Sequence, residues 1–399
     1  MAEKVFITNI YDKGKTVLKN CCIKDGIFIS INNIASADAE VLEDLSEYVM
    51  FPGFIDAHVH LREPGFLYKE TIKTGSEAAK AGGYTDVFTM PNLSPVPDSP
   101  DHLRQELDII ERDAFLEVLP YAAITVGREG RELVDIRALK QYVAGFSDDG
   151  SGVQDDTVML RAMEKAAEEG VILAAHCEDN RYGTAPEGEW MQIERDLRLV
   201  AQTGCSYHVC HISTKESVDL IRRAKDSGVN VSCETAPHYI VLSDDDRDDD
   251  GRFKMNPPLR TPSDRAAIRE GLMDGTIDMI ATDHAPHTAE EKSRGFAGSA
   301  FGIVGLETAF PVLYTSLVRS GMMPLEHLLK LMCTAPRQRF GLEMREDDYT
   351  VFDLANPYRI DSSRFLSKGR STPFEGMEVY GRCLKTVYKG KTVYEAREI

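Results

Sequence analysis

The sequence predicts an α/β protein: a (β/α)8 TIM-like barrel over residues 51–344, with a small β-sandwich-like domain formed by residues 1–50 and 345–399. Three observations predict it. From about residue 51 to about 290, short apolar runs rich in β-branched and aromatic residues alternate with amphipathic helical stretches, as in a parallel sheet wrapped by helices. The runs are apolar almost throughout instead of alternating, which is what strands buried on both faces require. The two ends read differently, as short strands separated by Gly and Asn turns.

In chain order the barrel runs are 50–60, 84–90, 115–125, 144–147, 171–176, 206–211, 229–234 and 277–282. Helical stretches fall between them at 69–81, 99–113, 134–143, 156–169, 194–203, 214–227 and 262–274, several opening on a Ser, Thr or Asp cap and closing on Gly. Helical segments at 306–320 and 325–331 complete the barrel and lead out of it. The terminal strands are expected at 5–7 and 26–31 at one end, and at 349–352, 386–388 and 392–394 at the other. Neither end is long enough to bury a core alone, so the two are expected to pair. There is no internal repeat and no low-complexity segment.

Composition narrows the function. A chain that is 42% hydrophobic and 28% charged has the balance of a water-soluble protein, and no apolar run is long enough to cross a bilayer. The start, Met1-Ala2-Glu3-Lys4-Val5-Phe6, lacks the pattern of an export signal, which makes the cytoplasm the expected location. Eight cysteines (Cys21, Cys22, Cys177, Cys205, Cys210, Cys233, Cys333, Cys383) are scattered without a Cys-x-x-Cys pair and read as reduced, mostly core thiols. A formal charge of −19 argues against nucleic acid and anionic membranes as partners, since both need a basic face. An anionic substrate would therefore need a local positive group, an Arg or a metal. The acidic run 244–251 lacks the ligand spacing and closing Glu of a calcium loop and reads as solvated.

The His and Asp residues fall where a barrel places its chemistry, at the C-terminal ends of the strands. His58 and His60 end the first run, Asp148 and Asp149 follow the fourth, His176 ends the fifth, His211 the sixth, and Asp283 follows the eighth. A strand alternates its side chains, so His58 and His60 project to one side and can share a cation while Val59 points away. Any one of these residues alone reads as a satisfied core group, but the repetition argues for a metal centre. His102 and His327 lie in polar helical contexts and read as surface residues; His208 and His238 read as structural. Imidazole and carboxylate ligands in this number suit Zn²⁺, which makes bound water acidic enough to supply hydroxide near neutral pH. Two such ions could share a bridging hydroxide and a bridging carboxylate. The pair Gly82-Gly83 lacks the spacing of a dinucleotide or phosphate loop, so no organic cofactor is expected.

Pro52-Gly53-Phe54-Ile55-Asp56-Ala57-His58-Val59-His60-Leu61-Arg62-Glu63-Pro64-Gly65 resembles the opening motif of the cyclic amidohydrolases. Met90-Pro91-Asn92, His176-Cys177-Glu178-Asp179, His211-Ile212-Ser213-Thr214 and Ala281-Thr282-Asp283-His284-Ala285-Pro286-His287 continue it in order over nearly the whole chain. Hydantoinases, dihydropyrimidinases and allantoinases typically carry a carboxylated lysine after the fourth strand. Phe146-Ser147-Asp148-Asp149-Gly150 is instead similar to the bacterial-type (class I) dihydroorotases, which use an aspartate there. From the residues alone Asp148 and Asp149 are equivalent; the resemblance points to Asp149.

The resemblance implies metal ligands His58, His60, Asp149, His176, His211 and Asp283, with one or two Zn²⁺ ions, two being expected, and Asp283 also acting as general base and acid. It implies Arg62, Asn92 and His287 at the substrate carboxylate, His60 among the substrate-binding residues as well as the ligands, and Asn256 with Phe301 and Gly302 over the ring. Arg62 offers a planar fork of donors suited to a carboxylate, though a structural salt bridge would also explain it, and Asn92 could be a turn former. The implied activity is reversible cyclisation of N-carbamoyl-L-aspartate to L-dihydroorotate in pyrimidine synthesis, through metal-bound hydroxide. A homodimer and association with aspartate transcarbamoylase are implied as well. Two other readings stand beside it: a hydantoinase or allantoinase, and a catalytically silent homologue acting as a scaffold. The stretch 179–193 is shorter than the family's insert over the active-site mouth, so lid behaviour and subunit contacts are expected to differ.

Overall fold

The computed structural model describes residues 4–12, 15–24, 27–30, 40–345 and 347–396, with side chains at Leu45 and from Glu47 onward apart from Glu346. Gly26 and Ile31 of one expected strand, and the side chains of Cys21 and Cys22, lie outside the described residues. The first four strands are β1 (Lys4–Asp12), β2 (Lys15–Lys24), β3 (Ile27–Ser30) and β4 (Glu40–Pro52). The barrel follows as β5 (Phe54–Val59), β6 (Tyr84–Thr89), β7 (Glu117–Ala122), β8 (Gly145–Phe146), β9 (Ile172–Ala175), β10 (Ser206–Val209), β11 (Val231–Thr235) and β12 (Met279–Ile280). These eight pair in chain order, each pair parallel. Every residue of β5, β6, β9 and β11 is buried, the double-sided burial that the apolar runs predict.

The ring closes between β5 and the segment after β12. Val59 bridges to His284, the His60 N–H donates to the His284 carbonyl at 2.8 Å, and the buried Asp56 carboxylate accepts the N–H groups of His58 and Thr282 at 3.1 Å. Closure is thus written into the same few residues that carry the candidate chemistry.

The helices are α1 (Ile72–Ala81), α2 (Pro100–Asp113), α3 (Ile136–Leu139), α4 (Asp156–Glu169), α5 (Pro186–Thr203), α6 (Lys215–Asp226), α7 (Pro237–Val241), α8 (Pro262–Asp274), α9 (Ala289–Lys292), α10 (Gly295–Gly298), α11 (Ala309–Leu313), α12 (Leu325–Leu329) and α13 (Ala335–Phe340). Caps set the bounds of α4: the Asp155 side chain accepts from Thr157 and Val158, and Gly170 ends the helix at φ 67°, a left-handed conformation natural to glycine. Helix α5 starts at Pro186 rather than near 194, because Pro186 stands in the first turn with Glu187 and Glu189 complementing the helix dipole. The expected helix 134–143 shortens to α3 and a following turn, and the short α7 and α13 are additional. Residues 245–250 of the acidic run are exposed, as a solvated loop should be. Among the described residues, no helix is long and apolar enough to cross a membrane.

The C-terminal strands are β13 (Tyr349–Asp353), β14 (Tyr358–Arg359), β15 (Glu378–Val379), β16 (Arg382–Tyr388) and β17 (Lys391–Glu395). Both ends of the chain meet in one seven-stranded sheet, ordered β17-β16-β13-β4-β1-β2-β3. It is mixed, since β1 and β4 run parallel while β4 and β13 run antiparallel. Aromatic rings pack it on the barrel: Phe352 of β13 lies 5.6 Å from Phe51, 5.4 Å from Phe54 and 4.4 Å from Phe310, centroid to centroid.

Beneath the barrel, at the N-terminal ends of β5 and β6, Arg337 of α13 is buried with its guanidinium on Gly53 O (2.9 Å), Cys333 O (3.0 Å) and the Asp86 carboxylate (2.6 Å). Arg345 holds the other oxygen of Asp86 at 2.7 Å. Removing one partner of a buried pair leaves the other charge uncompensated, so Arg337→Met should cost about 3–5 kcal/mol. Urea unfolding checks this; a loss below about 1 kcal/mol would mean that Arg345 alone satisfies Asp86.

Candidate metal centre

The strand ends bring four imidazoles and two carboxylates to one buried centre. Asp149 lies in the middle: its Oδ1 is 3.4 Å from His58 Nε2, 3.7 Å from His176 Nδ1 and 3.7 Å from His211 Nε2, and its Oδ2 is 3.6 Å from His60 Nε2. Asp283 Oδ1 lies 3.1 Å from His60 Nε2 and 3.6 Å from His58 Nε2. Two ligand groups result, His58-His60-Asp149 and Asp149-His176-His211, and Asp149 belongs to both. Asp148 faces elsewhere. Its carboxylate accepts the N–H groups of Ile124 and Thr125 at 2.8 and 3.1 Å and the Thr125 hydroxyl, which makes it a loop anchor.

The donor set fits a divalent cation. Among the described residues, His58 Nε2 and Asp149 Oδ1 are buried without a hydrogen-bond partner although they face each other at 3.4 Å, orphans that a folded interior rarely leaves. Burial alone would push the Asp149 and Asp283 carboxyls up. Instead, the neighbouring imidazoles hold both below the usual carboxylate range, His58 leading for Asp149 and His60 for Asp283. The ligand types, imidazole and carboxylate, are those of zinc and similar ions.

A second layer holds the ligands, and much of it escaped the sequence reading. His58 Nδ1 lies 2.8 Å from Glu234 Oε1. The other Glu234 oxygen is 3.2 Å from His208 Nε2, and His208 Nδ1 meets Ser232 Oγ at 2.8 Å. Cys210 also approaches His58 and Glu234, but burial pushes its thiol up to about 12, so it stays protonated. Glu178 lies 3.3 Å from His176 Nε2 and accepts from Asn256 Nδ2 at 2.6 Å; the His176 contact holds its carboxyl at about 2. Glu189 of α5 accepts the Ser213 and Thr214 N–H groups at 2.9 and 3.1 Å, fixing the loop beyond His211. Position was the available signal for Glu234, which closes the seventh apolar run as His176 and His211 close the fifth and sixth.

The expected substrate residues lie around this centre in differing states. Arg62 forms no ion pair among the described residues, and its buried Nε has no partner; burial lowers its pKa while Asp283, Asp149, Glu291 and Glu70 act in the opposite sense. Asn92 is already engaged, with Oδ1 2.9 Å from His60 Nδ1 and Nδ2 donating to Asp149 Oδ2 at 3.4 Å. His287 has a buried, unpartnered Nε2. Phe301 is exposed beneath the Lys254 ammonium, 4.5 Å from the ring centroid. Gly302, at φ 133°, packs so closely that a Cβ would meet Ala285 O at 2.5 Å and His287 Cδ2 at 3.0 Å. Lys292 secures this segment by donating to Lys254 O, Ala300 O and Gly302 O at 2.7–2.9 Å. His102 and His327, both expected at the surface, are half-buried, His102 with Nδ1 2.7 Å from Asp98 Oδ1 and His327 with Nε2 2.8 Å from Leu272 O. His208 and His238 are both buried.

Three residues of the site, Arg62 (φ 61°), His211 (φ 31°) and Asp283 (φ 48°), hold left-handed backbone that non-glycine residues rarely adopt. Such conformations cost of order 1–3 kcal/mol each and persist only where the surroundings enforce them. Glu234→Gln keeps the shape of the His58 support but removes its charge, and should weaken divalent-metal binding by about 10–100-fold. Chelator competition reads this directly, and unchanged affinity would reduce Glu234 to a packing role.

The chain matches the family described as Dihydro-orotase-like over residues 47–184. It is 45% identical to the dihydroorotases of Bacillus cereus (strain ATCC 14579) and Bacillus thuringiensis (strain Al Hakam), each alignment covering 96% of both chains. In fold it is similar to the L-hydantoinase (dihydropyrimidinase) of Arthrobacter aurescens, with a TM-score of 0.87 at 24% identity over 100% of this chain and 97% of that one. It is likewise similar to the dihydropyrimidinase of Brevibacillus agri, with a TM-score of 0.86 at 21% identity over 98% and 95%. With near full-length identity of this order to proteins of that name, the chain belongs to the dihydroorotase family of cyclic amidohydrolases.

Proposed function

We propose that this protein is a zinc-dependent dihydroorotase that interconverts N-carbamoyl-L-aspartate and L-dihydroorotate in pyrimidine synthesis. The observation that carries the substrate assignment is the Arg62 guanidinium, which stands beside the Asp149–Asp283 cluster with no carboxylate of its own to pair with. A ring amide without a carboxylate would leave that guanidinium without a direct ion pair, whereas dihydroorotate would meet it with a planar anion.

His58, His60, Asp149 and Asp283 would hold one ion, and Asp149, His176 and His211 a second. When bound, the ions supply Lewis acidity toward the ring carbonyl and make a coordinated water acidic enough to react near neutral pH. Asp283 is kept ionised by the imidazoles around it, which suits it to take the proton of the attacking water. It then delivers that proton to the ring nitrogen as the C–N bond breaks. In the reverse direction it takes the proton from the carbamoyl nitrogen as the ring closes and water leaves. Arg62, His287 and Asn92 orient the carboxylate, Asn92 through atoms that also touch His60 and Asp149. Asn256 and the Phe301-Gly302 segment cover the ring and limit water.

Division of the chain into a terminal β-domain and a barrel at residues 50/51 and 344/345 belongs to the same reading, although β4 runs across the first boundary. Cytoplasmic residence, read from the opening residues, and a homodimer and association with aspartate transcarbamoylase, implied by the family resemblance, belong to the same proposal.

Purified protein should hydrolyse L-dihydroorotate, lose that activity on chelation and regain it with Zn²⁺. Activity on hydantoin but not dihydroorotate would transfer the assignment to a hydantoinase, and none on any ring would favour a silent scaffold. Asp283→Asn should retain bound metal by direct analysis and lose about 10²–10⁴-fold in kcat; near-normal turnover would remove Asp283 from proton transfer.

A further inference from the structure

His287 lies in the loop between β12 and α9, and a side chain from the first barrel loop reaches it. Lys69 Nζ is 3.2 Å from His287 Nδ1 and 3.0 Å from Glu291 Oε1. Glu291 is fixed in turn, because its Oε2 accepts the Thr288 N–H at 3.0 Å and the Thr288 hydroxyl at 3.1 Å in the capping box of α9. An ammonium has three donors and no acceptor, so a ring nitrogen facing it must present a lone pair. The competing contact is longer: His287 Nδ1 lies 3.4 Å from Glu291 Oε2, an oxygen that Thr288 already occupies. Burial, aided by the charges of Arg62 and Lys69, pushes His287 down to about 3, leaving the ring neutral at physiological pH. With Nδ1 as acceptor, the one ring proton sits on Nε2, the buried atom that has no partner.

We infer that Lys69 is a positioning residue that locks His287 in its Nε2–H tautomer, so that the ring offers a donor to the substrate carboxylate beside Arg62. The identity of that anion rests on the dihydroorotase reading; the Lys69–His287 linkage does not. Without the ammonium, Glu291 becomes the nearest group to Nδ1 and draws the proton there. Nε2 would then turn a lone pair toward an anion, which repels where the native ring attracts. Lys69 would thereby contribute to selection of a carboxylated ring without touching the substrate.

The test uses the zinc-loaded full chain labelled with ¹⁵N-histidine, whose ring-nitrogen shifts separate protonated from lone-pair nitrogens; His287→Ala assigns the signals. Native protein and Lys69→Arg, which keeps a cationic donor, should show Nε2–H. Lys69→Met should move the proton to Nδ1, raise KM for dihydroorotate about tenfold with kcat little changed, and add nothing in a His287→Ala background. An unchanged tautomer in Lys69→Met, or full additivity of the two substitutions, would overturn the inference. Because the shifts are read without substrate, a failure to turn over dihydroorotate would defeat the functional proposal and leave this test intact.

Discussion

Asp149 is a buried carboxylate with four imidazoles around it, and the rest of the site follows from that arrangement. Left alone, such a group would protonate or draw protons onto its neighbours, because a buried charge must be compensated. A divalent cation held by these side chains would compensate it better, and Asp149 is the carboxylate common to both candidate ligand groups. The same logic accounts for the outer layer. Each inward ring nitrogen keeps its lone pair free only if the other ring nitrogen is committed elsewhere, and Glu234 on His58, Asn92 on His60 and Glu178 on His176 make those commitments.

This centre requires residues in conformations the backbone resists. Arg62, His211 and Asp283 all lie just past strand ends and all turn left-handed. The barrel can impose this because its seam is tied at several points within a few residues: Val59 to His284, His60 to His284, and Asp56 to Thr282. Tension that would unwind an isolated loop is here spread over a closed ring of parallel strands.

Much of this was legible in the sequence, and the rest was not for identifiable reasons. Burial on both faces, complete in most barrel strands and nearly so in β7 and β10, made them visible as apolar runs, down to the two residues of β8 inside 144–147. Helix α4 was legible in both bounds because Asp155 and Gly170 mark them chemically. The short α7 and α13 carry too few turns to establish a period. At the site, strand-end position pointed to the His and Asp residues but left Asp149 and Asp148 equivalent; the family resemblance favoured Asp149, and the fold shows the physical difference, since the two carboxylates face different ways. Glu234 and Lys69 meet their histidines across 176 and 218 residues of chain, a proximity that no local pattern encodes.

The electrostatics of so acidic a chain also become intelligible at this scale. A formal charge of −19 would repel a substrate bearing carboxylates if the whole protein were felt at once. Screening at physiological ionic strength limits the reach of exposed charges to about 8 Å, so the groups at the mouth decide the local potential. There Arg62 lies close enough to His60 and His287 to oppose their protonation, and Lys69 reinforces it at His287. Partly buried groups are screened less than exposed ones, so Arg62, which has no ion pair among the described residues, is felt at the site more strongly than a charge on the outer surface. Recognition of an anion by an acidic protein thus turns on where one guanidinium is held and not on the net charge.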